Sequence, residues 1–282
     1  MNLHTSAQQQ IDDATVQRYF EGAGGGTAAT VSMMAHEHNL PASAARYRLR
    51  KEIATIGDWL DAVGDSGHVL DVGCGAGAWV EIFAKRCQAV TGIERSPLMV
   101  DAARERVAQL RNAEILLGDG RKDLPEGPFD LIFLGGLCMY LEDTDVVALL
   151  QSLMGRLREG GSILLRESTV RQGRAFAQGD YQAVYRSVSL YHQLFEDAGP
   201  FHVEVRRNYG YNSMVTGEEL VDLRRKWLPF SPKNSPTLGS LTWWALRGTA
   251  PISLWALPRM LSHLNTSWPK LQNHFFKLDL VK

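Results

Sequence analysis

The stretch HVLDVGCGAGAWVEIF, residues 68–83, constrains the fold of this chain more than any other. An apolar, strand-like run leads into three glycines at alternate positions, Gly73, Gly75 and Gly77, and then into a helix candidate over 76–87. Glycines so placed let the backbone turn sharply and let a ligand approach the main chain with no Cβ in the way. The helix behind them presents unpaired N–H groups to an anionic or polar ligand. Strand, glycine turn and helix in that order open a βαβ unit.

The pattern then repeats. QAVTGIE (88–94) is a second strand, and Pro97 opens a helix that runs to Leu110, proline being well suited to a first helical position. AEILLGD (113–119) and FDLIFLG (129–135) are further strands. A helix over 143–158 precedes a fifth strand in EGGSILLRES (159–168). This alternation predicts right-handed crossovers and a parallel sheet. Beyond Ser168 the spacing predicts a helix at 188–198, a sixth strand in HVEVRRNYGY (202–211), a helix at 217–227 and a seventh strand in LTWWALRG (241–248). Residues 1–66 read as a helical cap or lid, with a short helix at 12–21, a glycine stretch after it, and one apolar helix face over 41–63. The expected division is therefore a cap at 1–66, a ligand-binding domain at 67–250 with a substrate-cap insertion at 170–200, and a tail at 251–282.

Two acids mark the expected ligand edge. Glu94 closes the second strand about twenty residues after the loop, where a carboxylate can accept both hydroxyls of a ribose. Asp119 closes the third strand, placed to accept from an adenine amino group. Arg95 and Gly120 adjoin these acids, and Gly135 ends the fourth strand on the same edge. A dinucleotide dehydrogenase would share much of this pattern, but its usual GxGxxG has Ala78 at the last position here.

DVGCGAG, GIE, GDG, FDLIFLGGLCMYL and REGGSILL, in that order, resemble the motifs of class I S-adenosylmethionine-dependent methyltransferases over residues 66–168. The resemblance implies a Rossmann-like, seven-stranded, mostly parallel α/β sheet with helices on both faces, and S-adenosyl-L-methionine as cofactor. It implies that Gly73, Gly75 and Gly77 pass under the methionine portion and that Asp71 supports its ammonium through the loop. Glu94 would hold the ribose, and Asp119 with Gly120 the adenine.

Methyl transfer from a sulfonium needs position and desolvation more than a dedicated acid or base. Tyr140, in the segment after the fourth strand, is the candidate to lie against sulfonium or substrate. Glu167, with Arg166, sits where the fifth strand ends and can orient an acceptor. His192 is the candidate general base, and Tyr19, just before the glycine stretch, the candidate lid residue. Arg171 and Arg174 are candidates for an anion clamp, while Tyr181 and Tyr185 share a face at helical spacing.

The 30 basic and 31 acidic residues nearly cancel, which sets aside nucleic acid as a partner. Three scattered cysteines form no CxxC pair, and His36 and His38 lack a third ligand, so neither a disulfide framework nor a metal is expected. The N-terminus lacks a signal-peptide core, and Arg247, Pro251 and Pro258 interrupt the most apolar segment. A cytoplasmic chain without stable membrane insertion follows, leaving room only for interfacial association of the Trp-rich segment. The expected function is methylation of a small-molecule oxygen or nitrogen, in specialised metabolism. The alternatives are use of the aminocarboxypropyl part of the cofactor with release of methylthioadenosine, and a non-catalytic cofactor-binding partner protein. Oligomeric state is not encoded in any motif.

Overall fold

A computed structural model describes residues 3–4, 10–23, 40–179, 181–227, 235–264 and 270–281. In chain order the elements begin with β1 (Leu3–His4), α1 (Asp13–Ala23), α2 (Ala42–Thr55), α3 (Gly57–Val63), β2 (His68–Val72), α4 (Ala78–Ala84) and β3 (Ala89–Glu94). There follow α5 (Pro97–Val107), β4 (Ala113–Leu117), β5 (Phe129–Leu134), a 3-10 turn (Cys138–Tyr140), α6 (Asp143–Met154), β6 (Leu157–Val170), β7 (Arg174–Ala177) and β8 (Ala183–Ser187). The last are α7 (Val188–Ala198), β9 (Phe201–Arg207), α8 (Tyr209–Trp227), α9 (Pro236–Gly248), a π-helical turn (Pro251–Ala256), α10 (Leu257–His263) and β10 (Gln272–Leu280).

The chain divides into two compact units. The first comprises Met1–Thr30, Gly57–Arg206 and His274–Lys282; the second comprises Val31–Ile56 and Arg207–Asn273. In the first, the sheet runs β1-β7-β8-β6-β5-β2-β3-β4, with β10 beside β6 and β9 beside β10. The pairs β2–β3, β2–β5, β3–β4 and β5–β6 are parallel. Parallel strands are covered on both faces, and the sequence of β2 shows it: Val69, Leu70 and Val72 are fully buried. Val146, Leu149, Leu150 and Leu153 of α6 share one helix face and pack into the same core as Tyr191, Leu194 and Phe195 of α7. Burying each such side chain contributes roughly 1.5–3 kcal/mol.

The sheet confirms the mostly parallel α/β architecture and corrects its far end. LTWWALRG is not a strand: it lies in helix α9, which buries Gly239, Trp243 and Leu246 at helical spacing. The apolar run fits either period, and tertiary packing settles it. The missing strand is β10, inside the expected tail, which places Phe275, Phe276 and Leu278 in the interior. Asn208 N donates to Asn273 O at one end of the β9–β10 pair, and Val281 N donates to Pro200 O at the other, so the two strands run antiparallel. The sixth strand stops at Arg207, because the Asn208 side chain accepts from Tyr211 N and starts α8. Tyr181 and Tyr185 do not share a helix: β8 precedes α7, whose N-cap Ser187 accepts from Leu190 N. Nor does 1–66 form one cap, since α1 and α3 belong to the first unit and α2 to the second.

Leu40, Ala44, Val221 and Trp243 form the apolar core of the second unit. Beside it, buried Glu52 accepts from Asn208 Nδ2 at 3.0 Å, and the same amide donates to Asn273 Oδ1 at 2.8 Å.

Candidate functional site

The carboxyl ends of β2, β3 and β4 carry the glycine loop and both marker acids. Gly75 adopts φ +54°, and a Cβ built on it would meet nothing within 4 Å. Gly77 differs: at φ +74° its Cβ would sit 3.1 Å from Ala103 of α5, so it is needed for close helix packing. Gly73 N and Cys74 N both donate to Ile93 O, which ties the loop to β3. Glu94 completes the turn, its Oε2 accepting from Gly75 N at 3.0 Å and its Oε1 from Ser96 N at 2.9 Å. Each carboxylate oxygen keeps a lone pair for a ligand hydroxyl.

Asp71 lies at the base of this loop, 2% exposed, and its Oδ2 has no hydrogen-bond partner. Burial, opposed by Arg166 and reinforced by Glu94, pushes its carboxyl up to about 8. A buried, unpartnered carboxylate oxygen is costly unless something completes it. An ammonium group would do so, and the residues present therefore fit the methionine portion of S-adenosylmethionine.

Asp119 is held differently from expectation. Arg121 donates to it from Nε and Nη2, the latter at 2.6 Å, and its own backbone N–H donates as well. Arg121 also reaches Asp13, as does Arg95, whose Nη1 lies 2.9 Å from Asp13 Oδ1. Arg95 thus fastens α1 to this edge, through a partly exposed and individually weak pair. Gly120 is required by close approach, since its Cβ would lie 2.5 Å from Val72 Cγ1. Gly135 accepts from Arg166 Nη2 through its carbonyl at 2.8 Å.

An aromatic cluster from four segments stands beside the loop after β5. Tyr19 and Phe20 of α1 meet Tyr181 and Tyr140 edge to face, each at 5.0 Å between ring centroids. The Tyr140 and Tyr181 hydroxyls are 3.3 Å apart, and those of Tyr181 and Tyr185 are 3.1 Å apart. Burial pushes the Tyr181 hydroxyl well up, so it stays protonated. Tyr19 and Tyr140, from distant parts of the sequence, therefore do converge.

Glu167 and His192 lie elsewhere. Glu167 is fully buried and accepts from Cys138 N at 3.1 Å and from the Tyr191 hydroxyl at 3.3 Å. Burial, opposed by the Cys138 N–H and Arg186, raises its carboxyl to about 7. Arg186, also buried, donates to Cys138 O, Leu141 O and Asp143 Oδ1. Glu167 and Arg186 together clamp the turn that carries Tyr140. His192 is half-buried on α7, its ring 6.3 Å from Phe195, and takes no part in the aromatic cluster. Arg174 pairs with Asp143 at 2.8 Å, whereas Arg171 is exposed.

Sequence reasoning does not find Arg186, because a buried arginine reads like a loop charge. Nor does it find Asn212 and Thr216, one turn apart on α8 in the second unit. Both are buried, and their amide and hydroxyl have no hydrogen-bond partners. Among the described residues no cluster of three His, Cys, Asp or Glu is arranged to hold a metal; His36 and His38 lie outside them.

Residues 69–161 match the family model for a methyltransferase domain. The chain is 26% identical over 177 residues to a trans-aconitate 2-methyltransferase from an Enterobacter species, covering 57% of this chain and 67% of that one. It is 31% identical over 104 residues to nodulation protein S of Rhizobium tropici, covering 36% of this chain but only 44% of that relative's length. Its fold matches Haemonchus contortus phosphoethanolamine N-methyltransferase 2, solved with S-adenosyl-L-methionine, at TM-score 0.60 and 16% identity, over 93% of this chain and 60% of that one.

Proposed function

We propose that this chain, whose residues 69–161 match a methyltransferase-domain family model, methylates an oxygen or nitrogen of a small molecule in specialised metabolism with S-adenosylmethionine as donor. The observation that carries this reading is the buried Asp71 Oδ2, without a hydrogen-bond partner near the end of the strand that leads into the glycine loop. Asp71 would take the cofactor's ammonium, the loop its carboxylate and Glu94 its ribose hydroxyls. When bound, S-adenosylmethionine supplies a methyl group on a positively charged sulfur.

The chain's own contribution is placement and exclusion of water. Tyr140 presents an electron-rich ring on a turn fixed by Glu167 and Arg186, suited to a cationic sulfur or a protonated amine. Tyr19 and Phe20 close the same cluster from α1. Glu167 would position the turn rather than meet the acceptor, its carboxyl being fully buried against Cys138 N and the Tyr191 hydroxyl. An acceptor that is already nucleophilic suits such a site.

Incubation with methyl-labelled S-adenosylmethionine and a panel of amines, phenols and carboxylic acids tests this. Label should appear on an acceptor, with S-adenosylhomocysteine formed in equal amount. Methylthioadenosine formed without any acceptor would identify the aminocarboxypropyl route instead. Tight binding with no turnover across the panel would identify a partner protein.

A further inference from the structure

The second unit differs from the first in charge and in the side chains it leaves outside. Over Val31–Ile56 and Arg207–Asn273 the sequence has twelve Lys and Arg against five Asp and Glu. The near-neutral whole therefore combines a basic unit and an acidic one. Five of the seven tryptophans fall in the same unit.

Its described helices also expose large apolar residues at helical spacing. On α9, Leu241 and Trp244 stand on the side opposite the buried Gly239, Trp243 and Leu246, and Ile252 in the π-helical turn continues the row. Trp244 is 73% exposed and Trp227, one turn after exposed Leu223 on α8, is 71% exposed. Met260 and Leu264 repeat the spacing around α10. Basic side chains flank these rows: Arg224, Arg225 and Lys226 fill the last turn of α8, and Arg247 ends α9 with its guanidinium 4.3 Å from the Tyr47 ring. Among the described residues no helix is long and apolar enough to cross a membrane.

We propose that the exposed apolar rows of α8, α9 and α10, with their basic flanks, dock the chain on an anionic lipid surface. Tryptophan and leucine rows enter the headgroup region while Lys and Arg meet lipid phosphates, a division of labour these helices offer along their length. A second copy suits the surface less well. Two such basic units repel, and among the described residues the acidic unit exposes only scattered large apolar side chains, Leu98, Leu117, Leu280 and Val281, as a counter-surface.

The test is co-flotation of the purified chain with vesicles of phosphatidylcholine alone or mixed with phosphatidylglycerol, alongside tryptophan emission and analytical ultracentrifugation. Binding should occur on the anionic vesicles, with a blue shift, and fall when salt is raised to screen the lipid charge. The exposed-side double variant Leu241→Ser with Trp244→Ser should lose about tenfold or more in partitioning, while Leu117→Ser, on the first unit, should not. Its circular dichroism and melting should match the parent. Four outcomes would overturn the proposal: no binding to either vesicle, equal binding to both, unchanged binding by the double variant, or a dimer that the double variant dissolves.

Discussion

Glu94 reaches back from the end of β3 to accept the backbone N–H of Gly75 at 3.0 Å, so the side chain proposed to hold the ribose also shapes the glycine loop. Replacing Glu94 with Ala removes a charge-assisted bond of about 2 kcal/mol as well as the proposed ribose acceptor. S-adenosylhomocysteine affinity should fall at least about thirty-fold by calorimetry. Gln in place of Glu94 should recover part of the loss, since it restores one acceptor.

Gly75 and Gly77 separate ligand space from packing. Gly75→Ala places a methyl where nothing lies within 4 Å, at a left-handed φ costing about 1–2 kcal/mol. Its dominant effect should be on cofactor binding. Gly77→Ala drives the methyl against Ala103, so its dominant effect should be on thermal stability. Melting curves and binding isotherms of both variants check the contrast.

Cofactor binding should depend on pH through Asp71, whose carboxyl sits up at about 8. Below that value the group is protonated in the ligand-free protein and must ionise to pair with an ammonium. Affinity for S-adenosylhomocysteine should therefore rise as pH increases toward 8, by up to about tenfold per unit, with proton release. Asp71→Asn should abolish the slope. An unchanged slope in that variant would assign the proton elsewhere.

Glu167 should leave a signature in stability. Its carboxyl is raised from 4.5 to about 7, so the folded state holds a proton that the unfolded chain releases earlier. The stabilisation is complete below about pH 4.5 and is lost as pH rises through about 7, with an amplitude of order 3 kcal/mol. Denaturant titrations of Glu167→Gln should show that part of the pH dependence removed. The variant should also retain folding, because Gln still accepts from Cys138 N.

The glycine loop and its marker acids are legible in the sequence because their geometry is local. Gly73, Gly75 and Gly77 follow their strand closely, Glu94 ends the next, and Asp119 lies two residues past the end of the third. The rest depends on long-range packing. Tyr19, Phe20, Tyr140 and Tyr181 meet only after folding. Arg186 looks like a solvated charge until β8 buries it against the Cys138–Leu141 turn. LTWWALRG satisfies strand and helix periods alike, and β10 is hidden because QNHFFKLDL pairs antiparallel with the distant β9, outside the regular strand–helix alternation that announces the parallel strands. Asp119 lies where expected, yet Arg121 occupies it, a pairing two residues away that spacing rules do not weigh.

The central claim is tested most directly by calorimetric titration of the purified chain with S-adenosylhomocysteine, in parallel with NAD and with the Asp71→Asn variant. The expected result is one site per chain for S-adenosylhomocysteine, none for NAD, and a loss of at least about tenfold in the variant. Absence of S-adenosylhomocysteine binding, preferential NAD binding, or undiminished affinity in Asp71→Asn would contradict it.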